Sequence, residues 1–236
     1  MHLLPLVRTV HIAAGAGALA TFWIPLVAPK GGWVHRKSGW AYVIATAIAS
    51  ATGAALAISY LLDDRPGNDA PGLFLLYVGL LGATCASMGV RVLRTKQRTR
   101  PHRNLYDLGL PAALLAAGIG LGVFGVARGV PLFVVFAALG AFLAVGQLRF
   151  WLRSPVTRTQ WLLEHMSGMG GSCITTVTAF LVVNAQRMGF GTFDVLVWVA
   201  PGVLGSIGLG LWLRRWRARL ERRANHPDSV ATRVAA

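Results

Sequence analysis

The sequence predicts an all-α fold, a polytopic bundle of seven membrane-spanning helices, and three observations support this prediction. Of its 236 residues, 55% are hydrophobic and only 13% are charged, whereas charged residues make up about a quarter of a typical soluble domain. Several apolar runs exceed the roughly 18–20 residues that a helix needs to cross a hydrocarbon core about 30 Å thick. The basic residues fall in clusters between these runs.

The first three spans are predicted at residues 5–28, 39–62 and 71–93. The first is interrupted by Arg8 and His11 and lacks the basic segment that begins a signal peptide, so we interpret it as a retained span. A short basic loop separates the first span from the second, and a longer basic segment follows the third. Each run is long enough to cross the bilayer as a helix.

The last four spans are predicted at residues 105–127, 130–151, 160–184 and 193–213. Only a tight turn containing Gly129 and Pro131 separates the fourth span from the fifth. The sixth span carries Glu164 and His165 side by side near its start. The seventh continues into an arginine-rich tail, which we expect to form a short interfacial helix.

The basic residues alternate between the two sides of the predicted bundle. Of the 23 lysines and arginines, 19 follow an odd-numbered span, and the other four are Arg8, Arg65, Arg128 and Arg187. By the positive-inside rule, this alternation predicts an outside N-terminus and a cytoplasmic C-terminus. We therefore expect a protein of the bacterial cytoplasmic (inner) membrane, with one transmembrane bundle in residues 1–213 and a basic cytoplasmic tail in residues 214–236.

The net charge of +15 does not indicate nucleic-acid binding, because the basic residues are spread over three short loops and the tail rather than over one continuous surface. We expect the tail arginines to lie among anionic lipid headgroups, with Trp212 and Trp216 at the membrane boundary. Other membrane subunits are further possible partners. No loop is long enough to form a separate domain, so any chemistry must use residues in the spans or at their ends.

Small residues recur within the spans at the spacing that lets membrane helices approach closely. The pairs are Gly118 with Gly122, Gly168 with Ser172, and Gly202 with Ser206.

Cys85 and Cys173 lie inside apolar runs, so we interpret them as buried residues rather than as a disulfide.

Polar residues of several spans are predicted to meet on the cytoplasmic side. His165 shares a helix face with Gly168 and Ser172, so it should point into the bundle. The loop after the first span provides His35, and the segment around the start of the fourth span provides His102 and Asp107. Ionisable side chains inside hydrocarbon cost several kcal/mol, so they indicate a functional site by default.

Histidine and carboxylate together form the ligand set of zinc or iron ions, and they are also the usual pair for proton transfer. The candidate metal ligands are His35, His102, His165 and Asp107, and the candidate catalytic residues are His165, Asp107, Glu164 and His35. The cofactor is left open between a divalent metal ion and haem. No HxxxH, HExxH or CxxC motif defines a geometry. For the two carboxylates, Asp107 and Glu164, structural ion pairs with arginines at helix starts are favoured over metal binding.

His11 is a further candidate cofactor ligand, on the opposite side of the membrane. If His11 and His165 each lie about 9 Å inside opposite boundaries of a 30 Å core, they differ in depth by about 12 Å. Two axial ligands of one haem approach the iron at nearly the same depth. A haem held by this pair is therefore disfavoured.

Three segments resemble a family of bacterial multi-pass membrane proteins of unknown function. The family pattern is a first-span histidine, an HR-x-x-G-x-x-(Y/F) element leading into the second span, and a late-span histidine followed by small residues and T-A-F-L-V-V-N. The matching residues are His11, His35, Arg36, Gly39, Tyr42, His165, Thr178, Ala179, Phe180 and Asn184. The resemblance implies a shared helical bundle and does not select a reaction.

Three classes of function are consistent with these features. The first is a membrane-embedded enzyme or redox protein with a cytoplasm-side metal, haem or proton-transfer site. The second is a small-molecule or ion transporter, although the sequence has no internal repeat and no broken helices in matching halves. The third is an accessory subunit of a larger membrane complex that binds lipid or pigment.

Overall fold

The computed structural model describes residues 3–62, 69–190 and 195–225, and these ranges contain helices and turns but no strand. Short 3₁₀ turns follow two of the helices, at Val92–Arg94 and Ala185–Met188. The helices are α1 (Leu3–Thr21), α2 (Trp23–Val27), α3 (Trp33–Leu61), α4 (Asp69–Arg91), α5 (Leu105–Arg128), α6 (Pro131–Leu152), α7 (Gln160–Asn184) and α8 (Val195–Asn225).

In these described ranges, seven helices are long and apolar enough to cross a membrane, with α1 and α2 together forming the first. The predicted all-helical class is thereby confirmed, and so is the predicted number of helices that are able to span a membrane. The first span is broken because Pro25 has no backbone N–H to donate to the carbonyl of Thr21, four residues earlier. Helix α3 begins six residues before the predicted span, so His35 lies in its first turn rather than in a loop.

The arginine-rich tail continues α8 as a helix as far as Asn225, as predicted. Residues 226–236, with Arg233, lie outside the described residues, as do Arg65 and the first two residues of the predicted seventh span. Helix α7 coincides with the predicted sixth span, Gln160–Asn184.

Helix α4 forms the centre of the bundle and packs against α3, α5 and α7. In an apolar window of 18 residues within its span, 56% of the residues are buried, whereas the corresponding share in the other six spans is 11–33%. Helices α5 and α6 form a tight hairpin, because Gly129 adopts the left-handed conformation that the turn requires. Aromatic rings fill the space beside α4, where Phe74 stacks on Phe133 and also contacts Trp198.

The small-residue pairs differ in their contacts. A Cβ atom added to Gly168 would lie 2.6 Å from the backbone nitrogen of Gly89, so α4 and α7 pack backbone to backbone there. The prediction for Gly202 with Ser206 is wrong, because a Cβ atom at Gly202 would meet nothing within 4 Å. Helix α8 instead contacts α7 through Gly205, which packs against Ile174.

One end of the bundle, which we call the basic end, gathers residues 29–37, 94–105 and 149–161 and the part of α8 around Trp212. The Arg98 guanidinium ties two of these segments together by donating to the carbonyls of Phe150, Trp151 and Arg153 at the end of α6. Burial lowers the pKa of Arg98, and the negative charge of Glu164 acts in the opposite direction. The ammonium of Lys30 lies 5.2 Å from the ring centre of Trp212.

Candidate functional site

At the basic end, His35 of α3 and His165 of α7 face each other. Their ring centres are 6.3 Å apart and the rings are nearly perpendicular, with an interplanar angle of 70°. His35 is in the first turn of α3 and His165 is in the second turn of α7, so two helix starts bring the rings together. The structure therefore joins two of the predicted site residues across two helices that are far apart in sequence.

Each ring of this pair is oriented by a backbone carbonyl. Nδ1 of His35 lies 3.0 Å from the carbonyl oxygen of Pro25, and Nδ1 of His165 lies 2.6 Å from that of Gly89. A carbonyl oxygen can only accept, so each Nδ1 carries a proton and donates it. In the neutral ring, the lone pair is then on Nε2. Within the described residues, neither Nε2 atom has a hydrogen-bond partner.

Positive charges surround the pair. The charges of Lys30 and Lys96 both act on His165. The Lys96 ammonium lies 4.7 Å from the ring centre of Trp161, one turn before His165 on α7. Burial lowers the pKa of the Lys30 ammonium from its ordinary value. Any ligand of the two imidazoles is therefore bound in an electropositive surrounding.

A polar network lies deeper in the bundle below the pair. The hydroxyl of Tyr42 is hydrogen-bonded to Ser172 Oγ at 2.7 Å and to Thr176 Oγ1 at 3.2 Å. Tyr42 and Ser172 each follow a histidine of the pair by seven residues, or about 10.5 Å of helix rise on the same face. The sequence analysis placed Tyr42 only in the family pattern, although its spacing from His35 is the signal that links it to this site.

His102 and Asp107 belong to a different cluster, which is centred on Arg91. The Arg91 guanidinium donates two bonds of 2.7 Å to the two oxygens of Asp107, and His102 Nε2 lies 2.9 Å from Oδ2. The Asp107 side chain is only 2% exposed. Asn104 caps α5 by accepting hydrogen bonds from Tyr106 and Asp107. The predicted ion pair of Asp107 at a helix start is confirmed.

Helix α4 separates these two clusters. Gly89 accepts the hydrogen bond from His165, and Arg91 binds Asp107. Residues two apart on a helix point about 200° apart around its axis, so the clusters lie on opposite faces of α4. The four predicted metal ligands are thus not brought together: His35 and His165 form one pair, and His102 and Asp107 belong to the other cluster.

Glu164 is adjacent to His165 in sequence and points in another direction. The Gln160 side chain and the charges of Arg98 and Arg217 act on its carboxyl group. In the described part of the chain it forms no ion pair within 4 Å. The predicted direct ion pair of Glu164 is therefore replaced by longer-range attraction to two arginines.

His11 is far from the pair. Its Nδ1 lies 3.0 Å from the carbonyl oxygen of Ala49 and 3.2 Å from Thr52 Oγ1. Ala49 follows His35 by fourteen residues on the continuous helix α3, which is about 21 Å of rise. His11 thus takes no part in the His35–His165 site. Gly53 makes room for its ring, because a Cβ atom there would lie 3.0 Å from the His11 Cε1 atom.

Among the residues that the structure describes, no group of three or more histidine, cysteine, aspartate or glutamate side chains is placed to hold a metal ion. A metal centre at the pair would therefore take its remaining ligands from outside the described side chains. Comparisons of the chain with protein-family models, with curated proteins and with solved structures gave no match. Membership of the family that the sequence resembles stays a prediction.

Proposed function

We propose that this chain is an integral membrane protein whose functional centre is the His35–His165 pair, and that the pair binds a transition-metal centre through its two Nε2 atoms. The observation that carries the proposal is the shared orientation of the rings. Both Nδ1 atoms donate to backbone carbonyls, which leaves both Nε2 lone pairs available. Histidine ligands of metals in proteins typically donate their other ring N–H in this way.

The separation of the rings also supports the proposal. With metal–nitrogen bonds of about 2.0–2.1 Å, two imidazoles on one metal have ring centres roughly 5–6.5 Å apart. The observed distance of 6.3 Å lies in this range. Imidazole nitrogen suits zinc, copper, nickel and iron.

The charge around the pair restricts the form of the centre. A bare dication would be repelled by Lys30 and Lys96, whose charges act on His165. A centre that carries its own anionic groups would be attracted instead. Two forms meet this condition: a metal ion with a bound anion, and the iron of a haem, whose propionates are negative.

Metal analysis and optical absorption of the purified full-length protein test the proposal. We expect about one transition metal per chain, with a Soret band if the metal is haem iron. His35→Ala and His165→Ala should each lower metal affinity by at least 10–100-fold, which is the loss seen when even an outer partner of a metal ligand is removed.

His11→Ala and His102→Ala are the matched controls, because each removes an imidazole at a place separate from the pair. Both should retain the metal content of the unmodified protein. Equal metal content in His165→Ala and His102→Ala would contradict the proposal. Protein that is free of metal and purifies only within a larger complex would support the accessory-subunit alternative.

We further propose that the protein lies in the bacterial cytoplasmic membrane with its N-terminus outside and the basic end in the cytoplasm. The location of 19 of the 23 basic residues after odd-numbered spans supports this orientation. A reporter that is active only in the cytoplasm, fused to the C-terminus, should be active. An inactive reporter on protein that is inserted in the membrane would overturn the orientation without affecting the metal proposal.

A further inference from the structure

An apolar cleft of about 630 Å³ lies between the α1–α2 segment, α7 and α8. It exists because α8 packs closely on α7, where Gly170 meets Leu209 and Gly205 meets Ile174, while the first span packs mainly on α3. The two outer helices thus leave a groove over α7. Its lining includes Phe22, Leu26, Cys173, Val177, Leu204 and Trp212.

The dimensions of the cleft suit a single hydrocarbon chain. Along α8 it extends from Ala200 to Trp212, which is about 18 Å of helix rise. This length is close to half of a hydrocarbon core about 30 Å thick, or the depth of one lipid leaflet.

A positive charge lies at the end of the cleft that belongs to the basic end. The Lys30 ammonium donates to the carbonyls of Pro25 and Leu26, at 2.8 and 2.6 Å, and it lies over the ring of Trp212. In the described ranges no carboxylate lies within ion-pair distance of Lys30. Arg214 and Arg215 follow Trp212 after one intervening residue, Leu213, and both are exposed. The cationic end of the cleft is thus not neutralised by the protein itself.

We propose that the cleft binds one acyl chain of an anionic membrane phospholipid, with the lipid phosphate at Lys30. The bilayer is as apolar as the cleft, so burial of the chain alone cannot select a lipid. Selection comes from the headgroup, because a phosphate at the end of the cleft neutralises the ammonium and accepts a hydrogen bond from it. This site is distinct from the loose attraction of the arginine-rich tail for anionic headgroups.

A bulky side chain at one glycine should fill the cleft without displacing the other residues that line it. Gly208 lines the cleft, and a Cβ atom added there meets nothing within 4 Å. Gly208→Phe should therefore place its ring in the cleft. Gly210→Phe is the matched control, since Gly210 lies on the same helix, also faces open space and does not line the cleft.

Native mass spectrometry of the full-length protein tests the proposal. The detergent-solubilised protein is mixed with equal amounts of phosphatidylglycerol and phosphatidylcholine that carry identical acyl chains. We expect one phosphatidylglycerol per chain to be retained, with at least a fivefold preference over phosphatidylcholine. Lys30→Gln should lower this preference by about fivefold, the contribution of one basic residue near an anionic headgroup. Gly208→Phe should lose both lipids, and Gly210→Phe should behave like the unmodified protein.

Equal retention of the two lipids by the unmodified protein would overturn the proposed selection by charge. Retention of phosphatidylglycerol by Gly208→Phe at the level of Gly210→Phe would overturn the location in the cleft. If Gly208→Phe does not fold, Gly208→Leu is measured in the same way. A co-purified polypeptide that Gly208→Phe releases while lipid retention is unchanged would indicate a protein occupant and contradict the proposal.

Discussion

Two histidine-containing clusters lie at the basic end of the bundle, on opposite faces of α4. They differ in whether their polar side-chain atoms already have hydrogen-bond partners. In the cluster of Arg91, His102 and Asp107, the carboxylate is occupied by a two-bonded guanidinium and an imidazole. In the pair of His35 and His165, backbone carbonyls occupy only one nitrogen of each ring. A cluster whose acceptors are satisfied holds helices together, whereas one with lone pairs that no hydrogen bond occupies can take a ligand.

The two clusters are also built from different parts of the bundle. The Asp107 cluster joins α4 to the start of α5, so its partners are close in sequence. The His35–His165 pair joins α3 to α7 and depends on a glycine of α4. If this comparison is correct, substitutions in the Asp107 cluster should lower the free energy of unfolding. Substitutions in the His35–His165 pair should lower metal affinity.

Asp107→Asn should have the largest effect on stability. The substitution keeps the size of the side chain and removes the charge, which leaves the Arg91 guanidinium without its counter-ion in a partly buried place. Breaking a buried pair by removing one partner costs about 3–5 kcal/mol, and we expect a value near the lower limit because Arg91 is 24% exposed. Thermal unfolding in detergent measures the loss.

Asp69→Asn is the control for this prediction. Asp69 is paired with Arg128 at 3.8 Å, and both side chains are more than half exposed. Exposed pairs contribute about 0–1 kcal/mol, so this variant should unfold close to the unmodified protein. Similar losses in the two variants would show that the Asp107 cluster is not the structural element we describe.

Gly168→Ala should have the next largest effect, and it should affect both stability and binding. The new Cβ atom would lie within 3 Å of backbone atoms of Gly89 and Cys85, so α4 and α7 must move apart. Overpacking of this kind costs about 1–3 kcal/mol. The same movement lengthens the hydrogen bond from His165 to Gly89, so metal affinity should fall as well.

Gly79→Ala provides a comparison on α4, because a Cβ atom there meets nothing within 4 Å. We expect no loss of stability or of metal in that variant. Normal metal binding by Gly168→Ala would indicate that the orientation of His165 does not depend on the close contact between α4 and α7.

His102→Ala should have the smallest effect. His102 contributes one charge-assisted hydrogen bond to Asp107, and its side chain is 31% exposed. Water can replace part of that bond, so we expect a loss of about 1 kcal/mol in unfolding free energy. Metal content should not change. A loss of metal equal to that of His165→Ala would remove the distinction between the two clusters.

Much of the architecture was predictable because it follows from local sequence properties. The length of each apolar run determines whether a helix can cross the bilayer, and α7 matches its predicted span at both ends. The inward face of α7 was also predictable, since Gly168 and Ser172 are buried where a period of 3.6 residues places them. The break between α1 and α2 was missed, although Pro25 was its signal.

The candidate site was predicted only in part. His35, His102, His165 and Asp107 were grouped because the sequence predicts that they share a membrane depth, and depth is counted along each predicted span. Which residues face each other around the bundle depends on the rotation of each helix and on its neighbours. Gly89 and Arg91 are two residues apart on α4 and therefore lie on opposite faces of that helix. Because His165 binds Gly89 and Asp107 binds Arg91, the predicted group is separated into two clusters.

The sequence by itself determined the helical class and the number of helices long and apolar enough to cross a membrane, because these follow from composition and from the length of each apolar run. Only the tertiary structure decided which polar groups pair. Pairing requires helices that are far apart in sequence to meet at one side, as α3 and α7 do at the histidine pair. Such meetings depend on close packing between helices, such as the backbone contact at Gly168, which no periodicity within a single helix encodes.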